Sequence, residues 1–134
     1  MGVLIDSSVL IYFERSGKDI STFVKGREAE EAFISVITAS ELLHGVHRAT
    51  DGHIKAKRLA FVEGVLAALP ILPIDLETAR SHSQLWADLA QQGNMIGVHD
   101  SWLAATCLAH GLRLATSNLR EFRRVPGLDA EMWE

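Results

Sequence analysis

Residues 2–14 read Gly2-Val3-Leu4-Ile5-Asp6-Ser7-Ser8-Val9-Leu10-Ile11-Tyr12-Phe13-Glu14. Two apolar runs flank one carboxylate. Val3–Ile5 has the length and branching of a short buried strand, and the run from Val9 to Glu14 starts a helix. A carboxylate between two segments bound for the interior is costly unless it stands outside the core. An open α/β sheet supplies such a position. Its strands end at a carboxyl edge where the next helix begins, and ligands bind along that edge.

The rest of the chain repeats the alternation. Residues 32–36 (AFISV) form a second strand, and Thr38–Arg48 a helix with Ala39, Leu42, Leu43 and Val46 on one face. A third helical stretch covers Ile54–Leu69, with Leu59, Val62, Val65, Leu66 and Leu69 in its stripe. Pro70 and Pro73 bracket a short strand, Ile71-Leu72. Leu76–Gln91 is helical, and Ser101–Ala109 is a nearly all-apolar helix stopped by Gly111. Leu112–Ala115 is a strand, Asn118–Arg124 a short helix, and Met132-Trp133 a last edge strand. Strands alternating with helices imply a parallel sheet covered on both faces.

Three more polar residues share the context of Asp6. Glu41 follows the AFISV strand, Asp100 precedes the apolar helix, and Asn118 follows the LRLAT strand. Each has a structural explanation. Asp, Asn, Ser and Thr cap helix N-termini, at about 1 kcal/mol apiece. Thr38-Ala-Ser-Glu41 matches a capping box, and Asn118-Leu-Arg-Glu121 nearly does. The apolar stripe also turns Glu41 toward solvent. Capping does not require carboxylates at three of the positions, however, and three carboxylates packed together repel. A divalent cation removes that conflict. Mg²⁺ and Mn²⁺ prefer oxygen ligands, and a metal so held activates water and stabilises charge on a phosphate.

The chain has 134 residues and a formal net charge of −4, a normal size for one domain and the wrong sign for bulk binding to nucleic acid. A metal-dependent nuclease stays open, because bound cations offset clustered acids. Lys55, Lys57 and Arg58, and then Arg113, Arg120, Arg123 and Arg124, are basic groupings of the kind found on solvated helix faces. No apolar run reaches the ~18–20 residues of a membrane span. No basic stretch precedes a long apolar run, so no signal peptide is expected. Cys107 is the only cysteine, which fits a reducing cytoplasm.

At these residues the chain resembles the PIN-domain family, in particular the VapC-type toxins of bacterial toxin–antitoxin pairs. The segment LIDSSVLI resembles the family's opening strand with its first acid. ITASELLHGV resembles its second motif, with Glu41 as the acid. The block from Ile96 to Leu128 resembles its third, with Asp100 as the acid and Thr116, Asn118 and Phe122 matching a Thr-x-Asn/Asp-x-x-x-Phe signature. The resemblance covers the whole chain. It implies one PIN domain over residues 1–134, with a three-layer α/β/α arrangement around a central parallel sheet. It implies a cytoplasmic, metal-dependent endoribonuclease that cleaves RNA with metal-activated water. Asp6, Glu41 and Asp100 would hold Mg²⁺ or Mn²⁺, directly or through water, with Asn118 as the fourth catalytic position. Many relatives have Asp there, so Asn118 contributes no charge. Glu121 shares its helix face, but a cap or surface charge is the favoured reading for it. Relatives implicate Thr116 or a nearby Ser in supporting the acids. The resemblance also implies a homodimer and a VapB-type antitoxin that occludes the site. The apolar stripes between Thr38 and Leu69 exceed what a thin domain needs and suit an amphipathic partner helix.

Other groupings carry less. His44, His47, His53 and Cys107 form no compact zinc set. His99 is expected to be a partly exposed residue before a helix. Trp86, Trp102 and Trp133 can stack bases, but Trp86 and Trp102 are expected in the core. No glycine-rich nucleotide loop is present. Two other function classes compete with this reading. A phosphatase with an aspartyl nucleophile needs an Asp-x-Asp pair, and Ser8 occupies its second position. A PIN-fold interaction protein with weakened catalysis would keep the fold and a partner surface, with Asn118 as the sign of loss.

Overall fold

The computed structural model describes residues 2–18, 20–25 and 28–133. Five strands form one sheet: β1 (Val3–Ile5), β2 (Ala32–Ser35), β3 (Ile71–Leu72), β4 (Arg113–Thr116) and β5 (Ala130–Met132). Their order is β3-β2-β1-β4-β5, and every pairing is parallel. Seven helices are described: α1 (Ser7–Arg15), α2 (Ile20–Lys25), α3 (Val36–Arg48), α4 (Gly52–Ala68), α5 (Leu76–Gln91), α6 (Val98–His110) and α7 (Leu119–Phe122).

β1 is central because it buries both faces. Successive side chains of a strand point to opposite sides, and Val3, Leu4 and Ile5 are all completely buried. Val3 and Ile5 pack with Leu10 of α1, Leu42 and Val46 of α3, and Val62 and Val65 of α4. Leu4 joins the opposite layer, with Leu85 and Leu89 of α5, Leu103 and Cys107 of α6, and Phe122 of α7. The arrangement is therefore a parallel sheet between two helical layers.

From β1 the chain steps outward to β2 and β3, then returns to place β4 on the other side of β1. That reversal leaves a crevice outside the carboxyl ends of β1 and β4, where α/β sheets receive ligands. Asp6 follows β1 and Thr116 ends β4, so both stand at this crevice.

Several boundaries differ from the sequence reading. α2 was not anticipated, since ISTFVK is too short to show a helical period. α6 begins at Val98 rather than Ser101, with Gly97 as its N-cap. A helix's first turn leaves its N–H groups without intrahelical partners and favours negative charge, so His99-Asp100 fits inside it. At the other end Gly111 adopts φ 65°, the left-handed conformation that ends helices most readily at glycine.

Candidate active site

Asp6 is held where its strand leaves it. The residue is 5% exposed and precedes α1, yet its side chain makes no capping bond. Its Oδ2 accepts from the Ser8 hydroxyl at 2.7 Å and from the Thr116 hydroxyl at 2.8 Å. These hydroxyls are placed in turn by backbone. Ser8 Oγ accepts from Ser117 N–H at 3.1 Å, and Thr116 Oγ1 accepts from Asn118 N–H at 2.9 Å. The ends of β1 and β4 thus aim one carboxylate into the crevice. The family resemblance points to Thr116 or a nearby Ser as support for the acids; Thr116 fills that role, and Ser8, two residues after Asp6, shares it as a donor to the carboxylate rather than as part of a cap.

The other capping explanations fail as well. Ser35, not Thr38, caps α3, accepting from Ile37 N–H at 3.0 Å. Glu41 therefore lies in the second turn. It is not turned to solvent: Oε1 is buried without a hydrogen-bond partner, and Oε2 lies 3.4 Å from His99 Nδ1. Thr38, one turn earlier, also has a buried hydroxyl without a partner. Unpaired buried acceptors are rare and costly. A carboxylate oxygen left this way is suited to a cation.

Asp100 sits in the first turn of α6, after the cap. Burial pushes its carboxyl up to about 7, followed by a hydrogen bond to the Glu121 carboxylate and the charges of Asp6, Glu121 and Glu41. The structure thereby gathers Asp6, Glu41 and Asp100 into one electrostatic group. It also adds Glu121, which the sequence reading had favoured as a cap or surface charge. Glu121 Oε1 accepts from Gly97 N–H at 2.7 Å, and Oε2 accepts from Asn118 Nδ2 at 3.1 Å. The Gly97 N–H, then the Asp100 and Asn118 hydrogen bonds and the Arg124 charge, lower its pKa against the opposing effect of burial. The pair therefore divides its labour: Asp100 takes the proton and Glu121 stays ionised. Asn118 precedes α7 without a side-chain capping bond, and its amide faces Glu121.

His99 is 59% exposed, beside Glu41. Trp86 is 57% exposed, not in the core as expected, because the buried face of α5 is Thr78, His82, Leu85 and Leu89. Among the described residues no three or more His, Cys, Asp or Glu side chains are grouped so as to hold a metal ion as they stand. The open group still suits a hard divalent ion by its chemistry. All its donors are oxygens, one is orphaned, and burial, with like-charge crowding adding to it, raises Asp100. Mg²⁺ in particular needs only one or two carboxylates and keeps several waters.

Comparison with known proteins agrees over nearly the full chain. Residues 3–128 match the family model for the PIN domain. The chain is 40% identical over 129 residues to ribonuclease VapC1 of Rickettsia felis, covering 96% of this chain and 94% of that protein. It is 37% identical over 100 residues to the tRNA(fMet)-specific endonuclease VapC of Salmonella typhimurium, covering 75% of this chain and 74% of that one. Among solved structures, a DNA-bound VapBC from Salmonella typhimurium contains a chain that is 30% identical, with a TM-score of 0.88 and coverage of 100% and 99%.

Proposed function

Since the chain belongs to the PIN-domain family and aligns with its VapC ribonucleases, we propose that it is a metal-dependent endoribonuclease, the toxin of a type II toxin–antitoxin pair. The observation that carries this reading is the convergence of Asp6, Glu41, Asp100 and Glu121 outside β1 and β4, where burial first, and then the Glu121 hydrogen bond and the neighbouring charges, push Asp100 up to about 7. Residues 1–134 act as one PIN domain. Asp6, Glu41 and Asp100 hold Mg²⁺ or Mn²⁺, and Glu121 replaces the charge that Asn118 lacks. The bound ion supplies activation of water and neutralisation of charge on the scissile phosphate.

The protein's own groups do the positioning. Ser8 and Thr116 occupy one oxygen of Asp6 and leave Oδ1 for the site. Asn118 and Gly97 orient Glu121. The N-terminus of α6 opens beside the acids, and its partial positive charge favours an anionic phosphate there. With no described helix long and apolar enough to cross a membrane, a cytoplasmic setting suits the RNA substrate.

The partner is a VapB-type antitoxin, and the toxin forms a homodimer. A groove of about 1060 Å³ has an apolar lining of Ile11, Leu42 and Phe61, with Arg15, Arg48, Lys57 and Glu41 also lining it. An amphipathic antitoxin segment whose acidic residues meet these cations fits this groove, and an Arg at its end suits the acids. The interaction-protein alternative has less support, because Glu121 offsets the lost charge at Asn118.

The deciding experiment incubates purified protein with RNA and Mg²⁺ or Mn²⁺. Initiator tRNA is the first substrate to try, given the name of the Salmonella relative. Cleavage that stops with chelator supports the reading, and undiminished cleavage in chelator defeats the metal-dependent part of it.

A further inference from the structure

We propose that His82 is a positioning residue for Asp100, acting through Ser101 to fix the first turn of α6. The inference rests on the acids being the reaction centre, but its structural part is independent of that.

His82 lies on α5, 8% exposed, outside the acidic group. Its ring stacks on Trp102 with centroids 3.6 Å apart and planes 3° from parallel, while Trp86 tilts against it at 5.9 Å. The orientation of the imidazole is thereby set. Its Nε2 is 2.9 Å from Ser101 Oγ. The Ser101 hydroxyl donates its only proton to the Val98 carbonyl at 2.6 Å. Toward His82 the hydroxyl must therefore accept, which places the imidazole proton on Nε2. Burial lowers the His82 pKa and favours the neutral ring. The result is a directed chain: His82 N–H to Ser101 hydroxyl to Val98 carbonyl, two residues before Asp100.

This turn needs an external hold. Gly97 caps α6 without a side chain to bond the free N–H groups, so the usual anchor is missing. Asp100 is also pressed by the charges of Asp6, Glu41 and Glu121. Two side chains from other elements compensate. Glu121 of α7 takes the Gly97 N–H on the crevice side, and His82 of α5 holds Ser101 on the other. A shift of about 1 Å in a positioned group can reduce turnover by ~100-fold, so a loosened turn is expected to be read in kcat.

The test uses His82→Phe, which keeps an aromatic ring on Trp102 but has no N–H, and His82→Gln, which restores a donor. Ser101→Ala removes the acceptor and carries the test if His82→Phe does not fold. Metal-dependent RNA cleavage, thermal midpoint and hydrogen exchange at residues 97–101 are measured beside wild type and Asp100→Asn. His82→Phe and Ser101→Ala should lose roughly tenfold or more in kcat with KM changed less than about twofold. Exchange at residues 97–101 should quicken in both, and His82→Gln should recover rate and protection. Wild-type kcat and exchange in a folded His82→Phe, or equal losses in His82→Phe and His82→Gln that follow the thermal midpoint, would overturn the proposal in favour of plain packing. If wild type does not cleave RNA, the ribonuclease reading fails, and the exchange pattern alone decides whether His82 holds the turn.

Discussion

Asp75 and Asp100 stand at the starts of α5 and α6, two helices that pack on each other in one layer. Their environments differ in sign. Asp75 caps α5: its carboxylate accepts from Thr78 N–H at 2.8 Å and lies 3.1 Å from His110 Nε2. The Thr78 backbone bond, then its hydroxyl and the His110 charge, lower the Asp75 pKa. Asp100 begins one turn further into its helix, is more buried and meets carboxylates rather than N–H groups, and burial first and those carboxylates second raise it to about 7. One acid stabilises the fold by being ionised, whereas the other is kept from ionising by burial and then by its neighbours. The second arrangement has no structural advantage for a folded chain alone, and it becomes favourable when a cation binds.

The largest separation of the two should come from isosteric neutralisation. Asp100→Asn is expected to lower RNA cleavage by ~100-fold or more, with a thermal midpoint unchanged or raised without metal. Asp75→Asn should keep full activity, because Asn caps as well as Asp. Full activity in Asp100→Asn would mean that the site is elsewhere. Glu121→Gln keeps an acceptor for Gly97 but removes a charge, and a loss of roughly tenfold is expected. Activity equal to wild type would return Glu121 to a purely structural role.

The pH dependence of melting distinguishes the pair further. Without metal the folded value of Asp100, about 7, exceeds its ordinary 3.8. Its contribution to stability is complete below pH ~4 and is lost as pH rises toward 7. Asp75 runs oppositely: its contribution is present above its ordinary 3.8 and lost as pH falls through its lowered folded value. Asp100→Asn should therefore flatten the decline in thermal midpoint between pH 4 and 7, which Asp75→Asn should leave in place. An undiminished decline in Asp100→Asn would assign it to other groups. The smallest effect belongs to Asp51, which caps α4 by accepting from His53 and Ile54 N–H at 2.9 and 3.1 Å. Asp51→Ala should cost about 1 kcal/mol in denaturant unfolding and nothing in cleavage.

Much of this layout was legible in the sequence. Val3–Ile5 was visible as a strand because it is apolar on both faces, and Leu76–Gln91 was bounded as observed because its period is regular. Gly111 stopped α6 as expected. The start of α6 was not visible, since Gly97-Val98-His99-Asp100 has no apolar period, and that shift decides whether Asp100 is a cap. Glu41 was turned to solvent by its helical stripe, although the start of α6 covers that side of α3 with His99. Trp86 is expected in the core because it falls in a helical stripe, but it lies beside the buried spacing of Thr78, His82, Leu85 and Leu89. That same spacing was the unused signal that His82 is buried. Glu121 was undervalued because its partner Gly97 is 24 residues away in sequence.

The account depends on the carboxylates outside β1 and β4 holding a divalent cation. The most direct measurement is the thermal midpoint of wild type and Asp100→Asn as Mn²⁺ is added at a pH above 7. A ligand that binds only the folded state raises the midpoint with concentration. The wild type should rise steadily and Asp100→Asn should rise much less. No rise in the wild type, or equal rises in both proteins, would contradict the metal site proposed here.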